Sequence, residues 1–258
     1  DFMKIHSLKS GSKGNASLVY TDKTKILVDC GISGKAVKTA MADIGFEPGD
    51  LDGIVVTHEH ADHIKGIGVM MRRYNVPVYA NSMTWSAIMT NDLGKLNDDK
   101  IKIFEGVEPF SIGDIGIKPF PIPHDAAYPV GYCFDDGRCR AAVATDMGFL
   151  TEEVFREIGG CKTVLLESNH DIGMLEVGPY PYPLKQRILG KLGHLSNDDA
   201  AKATEFLVRM GAEKIILGHL SEENNYPKLA YETVKFGISK ADIAAVSYTH
   251  LTLPTNRE

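Results

Sequence analysis

The sequence predicts a layered α/β domain, with two packed sheets covered by helices. Three observations point there. Short apolar, β-branched runs recur in both halves of the chain, among them Ile54-Val-Val56, Thr163-Val-Leu-Leu166 and Lys214-Ile-Ile-Leu217. Stretches of helical composition alternate with such runs, as layered α/β folds require. The first run stops and at once presents His58, His60, Asp62 and His63. A strand end of that kind aims alternate side chains into one cleft.

The elements follow in order. Met3–Leu8 alternates and reads as a first strand. Ser10-Gly-Ser-Lys-Gly-Asn15 is a turn, and Ala16–Tyr20 and Lys25–Asp29 form a hairpin with Asp22-Lys23 at its tip. Gly34 to Ile44 has helical composition, with Gly45 as its stop. After Ile54–Val56 a helix is expected from about Ile64 to Tyr74, then a strand at Pro77–Ala80. Ser82 is expected to cap a helix to about Thr90. From Ile101 to Val143 short strands alternate with turns at Gly106, Gly113-Asp114 and Asp135-Asp136-Gly137. Thr151-Glu-Glu-Val154 starts a helix, and Thr163–Leu166 leads into Glu167-Ser-Asn-His-Asp171. Pro183 to Leu192 is expected to be helical. Ser196 caps a helix to about Met210, with Asp198 and Asp199 at its positive end and Gly211 as its stop. Lys214–Leu217 is a buried strand, and a helix from about Pro227 to Phe236 closes the fold. With no repeat, low-complexity tract or linker, one domain is expected over residues 3–246. Asp1-Phe2 and the stretch from about 247 to 258, with His250, break from this pattern and are set apart as non-native ends.

At 258 residues the chain is long enough to bury a sizeable core. Charged residues are 24% and hydrophobic ones 43%, an ordinary balance for a soluble protein. The 28 Lys+Arg against 34 Asp+Glu leave a formal charge of -6. That argues against binding nucleic acid by bulk charge, although bound divalent cations would change the local field. No apolar run reaches about 18 residues, so no membrane partner is expected. Cys30, Cys133, Cys139 and Cys161 lack zinc-finger or CxxC spacing. With no visible signal peptide, they are expected to be free thiols in a reducing cytoplasm.

The histidine cluster carries the chemistry. Imidazole suits zinc, iron and nickel, and carboxylate suits harder cations such as manganese. His58, His60, Asp62 and His63 cannot all serve one four-coordinate ion that keeps an open position. Two adjacent metals is the natural reading; a solvated histidine-rich loop is the bland one.

Thr57-His-Glu-His-Ala-Asp-His63 resembles the signature of the metallo-β-lactamase fold, a four-layer αββα sandwich. Asp29-Cys-Gly-Ile-Ser33, His124 in Pro121-Ile-Pro-His-Asp125, Thr145-Asp-Met-Gly148 and Leu217-Gly-His-Leu-Ser221 resemble its later motifs, in order, over nearly the whole chain. The branch it resembles is that of the YycJ/WalJ-type DNA exonucleases, related to RNase Z and RNase J. Ser7–Asn15, Glu167–Asp171, Gly193–Asn197 and His219–Asn225 carry that narrower likeness. His6, Lys9 and Lys13 stand where small residues are expected. Asp146 and His219 lie 73 positions apart, too close for the nucleic-acid-clamping insert of RNase J-like enzymes.

The resemblance implies that His58, His60 and His124 hold one divalent ion, zinc or manganese. Asp62, His63 and His219 hold a second, and Asp146 bridges the two. Asp29 is implied to support a ligand, and Glu59 to point away. His194 and Glu167 match the positions that protonate the leaving group in RNase Z-like enzymes, with Asp62 beside the nucleophile. The bland reading of His194 is a helix-entry histidine bonded to backbone; His170 is similarly ambiguous.

Ser10, Ser12, Lys13 and Asn15 are expected to face phosphate, with an ordinary hairpin turn as the alternative. Lys185, Arg187 and Lys191 are placed to neutralise a nucleic-acid backbone, or else form a solvated helix face. Tyr180 and Tyr182 stack on bases or pack within a proline turn. The expected activity is a DNA exonuclease with a role in repair and nucleic acid as partner. RNA cleavage and thioester hydrolysis of the glyoxalase II type are the alternatives. The His-Leu-Ser motifs at 194 and 219 argue against the latter. Aspartate at 146, where zinc lactamases commonly have cysteine, argues against lactam hydrolysis. His60, where oxygen reductases of this fold have glutamate, argues against redox chemistry. A non-enzymatic metal-binding protein would not need all seven ligands.

Overall fold

The computed structural model describes residues 3–240 and 250–252. The first half supplies strands β1 (Lys4–Lys9), β2 (Ala16–Tyr20), β3 (Lys25–Val28), β4 (Gly53–Val55), β5 (Val78–Asn81) and β6 (Ile101–Phe104), and helices α1 (Gly34–Ala42), α2 (Ala61–Ile64), α3 (Ile67–Tyr74) and α4 (Ser82–Ile88). The second half supplies β7 (Phe110–Ile112), β8 (Ile115–Pro121), β9 (Val130–Asp135), β10 (Arg140–Ala144), β11 (Thr163–Glu167), β12 (Lys214–Gly218) and β13 (His250–Thr252). Its helices are α5 (Glu152–Ile158), α6 (Ile172–Val177), α7 (Tyr182–Leu189), α8 (Asn197–Arg209) and α9 (Pro227–Lys240).

One sheet runs β1-β2-β3-β4-β5-β6 and the other β13-β12-β11-β10-β9-β8-β7. The period-2 alternation of the strands builds three cores at once. Val19, Ile26, Val28 and Val55 meet Val130, Tyr132, Val143, Leu165 and Ile216 between the sheets. Their neighbours Leu18, Leu27 and Ile54 face the opposite way, onto Val37 and Met41 of α1 and Met70 and Met71 of α3. Ala142, Val164, Leu166, Ile215 and Leu217 likewise face Val154 of α5, Leu207 of α8 and Val234 of α9. Strands buried on both faces read as continuous apolar runs, which is what Ile54–Val56 and Thr163–Leu166 are. Helix, sheet, sheet, helix is the four-layer order expected from the sequence.

Several boundaries differ from expectation. The helix expected over 64–74 is two helices, α2 and α3, parted at Lys65-Gly66. A Cβ at Gly66 would lie 2.2 Å from the Ile32 carbonyl oxygen, so the chain turns there against the Cys30 loop. Asn81, not Ser82, caps α4, its side chain accepting from the Thr84 amide at 2.8 Å. Ser82 instead donates to Glu105. Helix α6 is absent from the sequence expectation; Asp171 caps it by accepting from the Met174 amide. Of the ends set apart above, His250–Thr252 pair in parallel with β12 as an edge strand. Residues 1–2, 247–249 and 253–258 lie outside the described residues. Among the described residues no helix is long and apolar enough to cross a membrane.

Candidate metal centre

The site is assembled where parallel strands end. Strand β3 pairs in parallel with β4, and β10, β11 and β12 are mutually parallel. Their carboxyl ends open on one side of the molecule, the place where α/β sheets bind ligands. Asp29 follows β3, His58 follows β4, Asp146 follows β10, Glu167 ends β11 and His219 follows β12. Asp29, Asp146 and His219 have φ of 60°, 59° and 55°. Left-handed backbone at a non-glycine residue is costly and concentrates at functional sites.

Two loops lock the histidine cluster in place. The Cys30 amide donates to the His63 carbonyl at 2.7 Å, and the Asn15 amide to the Asp62 carbonyl at 2.8 Å. Gly31 lies so close that a Cβ there would fall 1.6 Å from the Asp62 oxygen. A short helix, α2, then turns Asp62 and His63 back towards the strand ends.

The seven expected ligands converge. His60 Nδ1 is 3.1 Å from His58 Nε2 and 3.3 Å from His124 Nε2. His63 Nε2 lies 3.4 Å from Asp62 and 3.5 Å from Asp146 Oδ2. His219 Nε2 lies 3.8 Å from Asp62 and 3.3 Å from Asp146 Oδ1. Two three-ligand groups result, His58/His60/His124 and Asp62/His63/His219, and Asp146 stands within ligand distance of members of both.

This donor set fits divalent cations. Asp146 Oδ2 and His219 Nε2 are buried without a hydrogen-bond partner. Buried polar atoms of that kind call for an ion or water. One ring nitrogen, His60 Nδ1, also faces two others at hydrogen-bond distance, an arrangement a shared cation satisfies better than protons do. The remaining imidazole nitrogens are fixed from behind, as metal-binding histidines usually are. His58 Nδ1 is 2.9 Å from Thr57 Oγ1, His60 Nε2 is 3.2 Å from the Asp125 carbonyl, and His124 Nδ1 is 3.2 Å from the Gly193 carbonyl. His63 Nδ1 is 2.8 Å from Asp29, and His219 Nδ1 is 2.9 Å from Glu167.

Asp29 therefore supports His63, and it also accepts from the Thr57 amide and hydroxyl, both at 2.8 Å. Glu59 turns aside, accepting from the Ala127 amide. Glu167 is fully buried, and four donors surround it. Its Oε1 meets both His194 Nδ1 and His219 Nδ1 at 2.9 Å, and its Oε2 accepts from the Met147 and Leu195 amides at 3.0 Å. Burial opposes its charge, yet His194 and His219 hold Glu167 well below the ordinary carboxylate range.

The phosphate-facing set is only partly as expected. Ser12 and Arg187 line the cleft, a volume of about 380 Å³ above the ligands, together with Tyr180, Leu184 and His194. Ser10 turns inward and accepts from the His219 amide at 2.6 Å. Asn15 is also buried, its side-chain amide donating to Asp62 Oδ2 at 3.2 Å and to the Gly11 carbonyl. Both serve the ligands rather than the cleft, because the turn folds back onto the loops after β4 and β12. Lys13 pairs with Glu222 at 2.5 Å on the surface, and Lys185 donates to the Glu176 carbonyl. Arg187 itself pairs with Asp125, Nε to Oδ2 at 2.7 Å. Sequence reasoning assigned no role to Thr57, Asp125 or Asn169. Their signal was adjacency to His58, His124 and Glu167; Asn169 donates to the His219 carbonyl at 2.8 Å.

The metal-free electrostatics predict a proton release. Burial disfavours a charged His63, but Asp146 and Asp29 outweigh it and raise the group well above its usual value. Burial likewise opposes His219, yet Asp146, Asp62 and Glu167 push it up to about 10. Both are raised, which favours the protonated forms, and a metal must displace those protons. Zinc added to weakly buffered metal-free protein at pH 7 should acidify the solution, read with an indicator dye. Unchanged pH on saturation would contradict the ligand assignment.

Residues 24–220 match the beta-lactamase superfamily domain. Exodeoxyribonuclease WalJ of Streptococcus pneumoniae is 42% identical over 241 residues, covering 93% of this chain and 90% of that one. Exodeoxyribonuclease YycJ of Bacillus anthracis is 41% identical over 241 residues, covering 91% of each. The metallo-beta-lactamase fold protein YhfI of Bacillus subtilis superposes with a TM-score of 0.73 over 98% of this chain and 96% of that one, at 16% identity, and so shares the fold. The chain belongs to the beta-lactamase superfamily, in the branch of the WalJ and YycJ proteins.

Proposed function

We propose that this chain is a two-metal DNA exonuclease, binding zinc or manganese. The observation that carries the reading is the pair of three-ligand groups sharing Asp146, with the Glu167–His194 pair on the wall of the same cleft. The names of the relatives, exodeoxyribonucleases over nearly the full chain, support DNA as the substrate.

When bound, the metal pair supplies a nucleophilic water at neutral pH and offsets charge on the phosphate. The chain's residues do the rest. Asp62 and Asp146 present carboxylates to the ligand groups and would orient that water. Glu167 fixes His194 through Nδ1, which leaves Nε2 to bring a proton to the departing oxygen. Arg187 can exchange Asp125 for a backbone phosphate, keeping one charge-assisted pair throughout. The formal charge of -6 gives no bulk attraction to nucleic acid, so affinity is assigned to the cleft.

The test is a substrate panel with added Mn²⁺ or Zn²⁺: 5′-labelled DNA, RNA and a thioester. Stepwise shortening of DNA is expected. Rapid thioester cleavage with intact DNA would reverse the assignment, and faster shortening of RNA would replace the substrate.

A further inference from the structure

Outside the cleft, a larger open cavity of about 660 Å³ contains none of the seven ligands. Cys133, in its wall, contacts a second thiol. Cys133 on β9 and Cys161, just before β11, place their sulfurs 3.8 Å apart. Both are buried, and the main-chain carbonyl of Glu157, near the end of α5, accepts from both thiols, at 3.0 and 3.9 Å. Arg140 Nη2 stands 3.5 Å from the Cys133 sulfur. The guanidinium is held there by the carbonyls of Glu157 at 2.7 Å and Gly159 at 3.4 Å. Cys133 and Arg140 line the cavity, whereas Cys161 does not. Among the described residues no other two thiols stand in contact.

We propose that Cys133 and Cys161 form a reversible oxidation site, in which a hydroperoxide entering the cavity oxidises Cys133 and Cys161 then closes a disulfide. Three features carry it: a cation beside the Cys133 sulfur, a second thiol in van der Waals contact, and a cavity lined by Cys133 but not by Cys161. Reactive thiols sit beside cations in partly accessible places, whereas inert ones are simply buried. The contact between the two thiols favours ionisation of Cys133 at the expense of Cys161, and the Arg140 charge adds to this against the cost of burial. Burial and Asp29 instead push Cys30 up to about 12, and burial raises Cys139.

The chemistry balances in two steps. Cys133 gives up its proton, and the thiolate attacks the terminal peroxide oxygen; an S–O bond forms, the O–O bond breaks, and the expelled hydroxide (or alkoxide, from an alkyl hydroperoxide) takes up a proton and leaves as water (or alcohol). The Cys161 sulfur then attacks the sulfenic sulfur, an S–S bond forms, the S–O bond breaks and a second water carries away its proton. The two thiols lose two electrons, and the peroxide gains them. Contact at 3.8 Å must shorten to about 2.05 Å for the bond to close. The product ties β9 to the segment leading into β11, the strand that ends at Glu167.

Peptide mapping of the zinc-loaded full chain under graded hydrogen peroxide tests this. Remaining thiols are alkylated before digestion without reductant. A Cys133–Cys161 crosslink is expected before Cys139 is modified, although Cys139 is the most accessible of the four, and dithiothreitol should restore both thiols. In Cys161→Ser the oxidised Cys133 should be trapped as a dimedone adduct. Modification of Cys139 with the Cys133–Cys161 pair still reduced would overturn the proposal. So would a Cys161→Ser chain in which Cys133 gives no adduct.

Discussion

Replacing His60 by alanine is expected to abolish DNA hydrolysis and leave the fold in place. His60 Nδ1 is the meeting point of the first ligand group, contacted by both His58 and His124. Without it two imidazoles remain, and neither can adjust. Their rear nitrogens are bonded to Thr57 and the Gly193 carbonyl. Losing an outer partner of a metal ligand typically costs 10–100-fold in metal affinity or activity, and losing a ligand should exceed about 100-fold. The fold should survive because His60 is only partly buried and lies outside all three cores. A substitution of that kind changes stability by about 1 kcal/mol or less. Hydrolysis rate and thermal midpoint should be measured together. Full activity of the variant at saturating metal would refute the assignment.

His194→Ala should lower the rate on DNA by roughly 10²–10⁴-fold, the usual contribution of a positioned acid. Metal content distinguishes this role from another one. Asp146, Glu167, His194 and His219 also lie close enough together to hold an ion. If His194 is an acid and not a ligand, the variant keeps its full complement of metal. A p-nitrophenyl phosphodiester, whose leaving group needs no proton, should lose far less rate than DNA does. An equal loss on both substrates, or a loss of metal, would show that His194 does something else. Glu167→Gln should resemble this variant and also weaken metal binding, since the same carboxylate oxygen touches His219.

The layers and the first cluster of candidate ligands were legible because both follow from local pattern; His124, Asp146 and His219 entered through the resemblance. Doubly buried strands read as apolar runs, and ligands cluster where those runs stop; Ile54–Val56 followed by His58 shows both signals within five residues. What escaped the sequence depends on contacts between distant segments. The inward turn of Ser10 is set by the His219 backbone, 209 positions away, and that of Asn15 by Asp62, 47 positions away. Neither partner is visible from a glycine-rich hexapeptide, so polar residues in a turn read as solvent-facing. The break between α2 and α3 has the same origin, a close approach of Gly66 to the Cys30–Ile32 loop. The Cys133–Cys161 contact joins thiols 28 positions apart with no motif spacing, and only the sheet brings them together.

The central claim is that two ions, joined by Asp146, act together on a phosphodiester. Metal-free protein should be titrated with Mn²⁺ while bound metal and DNA hydrolysis are followed in the same samples. Binding is expected to saturate at two ions per chain, with hydrolysis rising mainly over the second equivalent. Full hydrolysis at one ion per chain, with no further gain on filling the second group, would contradict it.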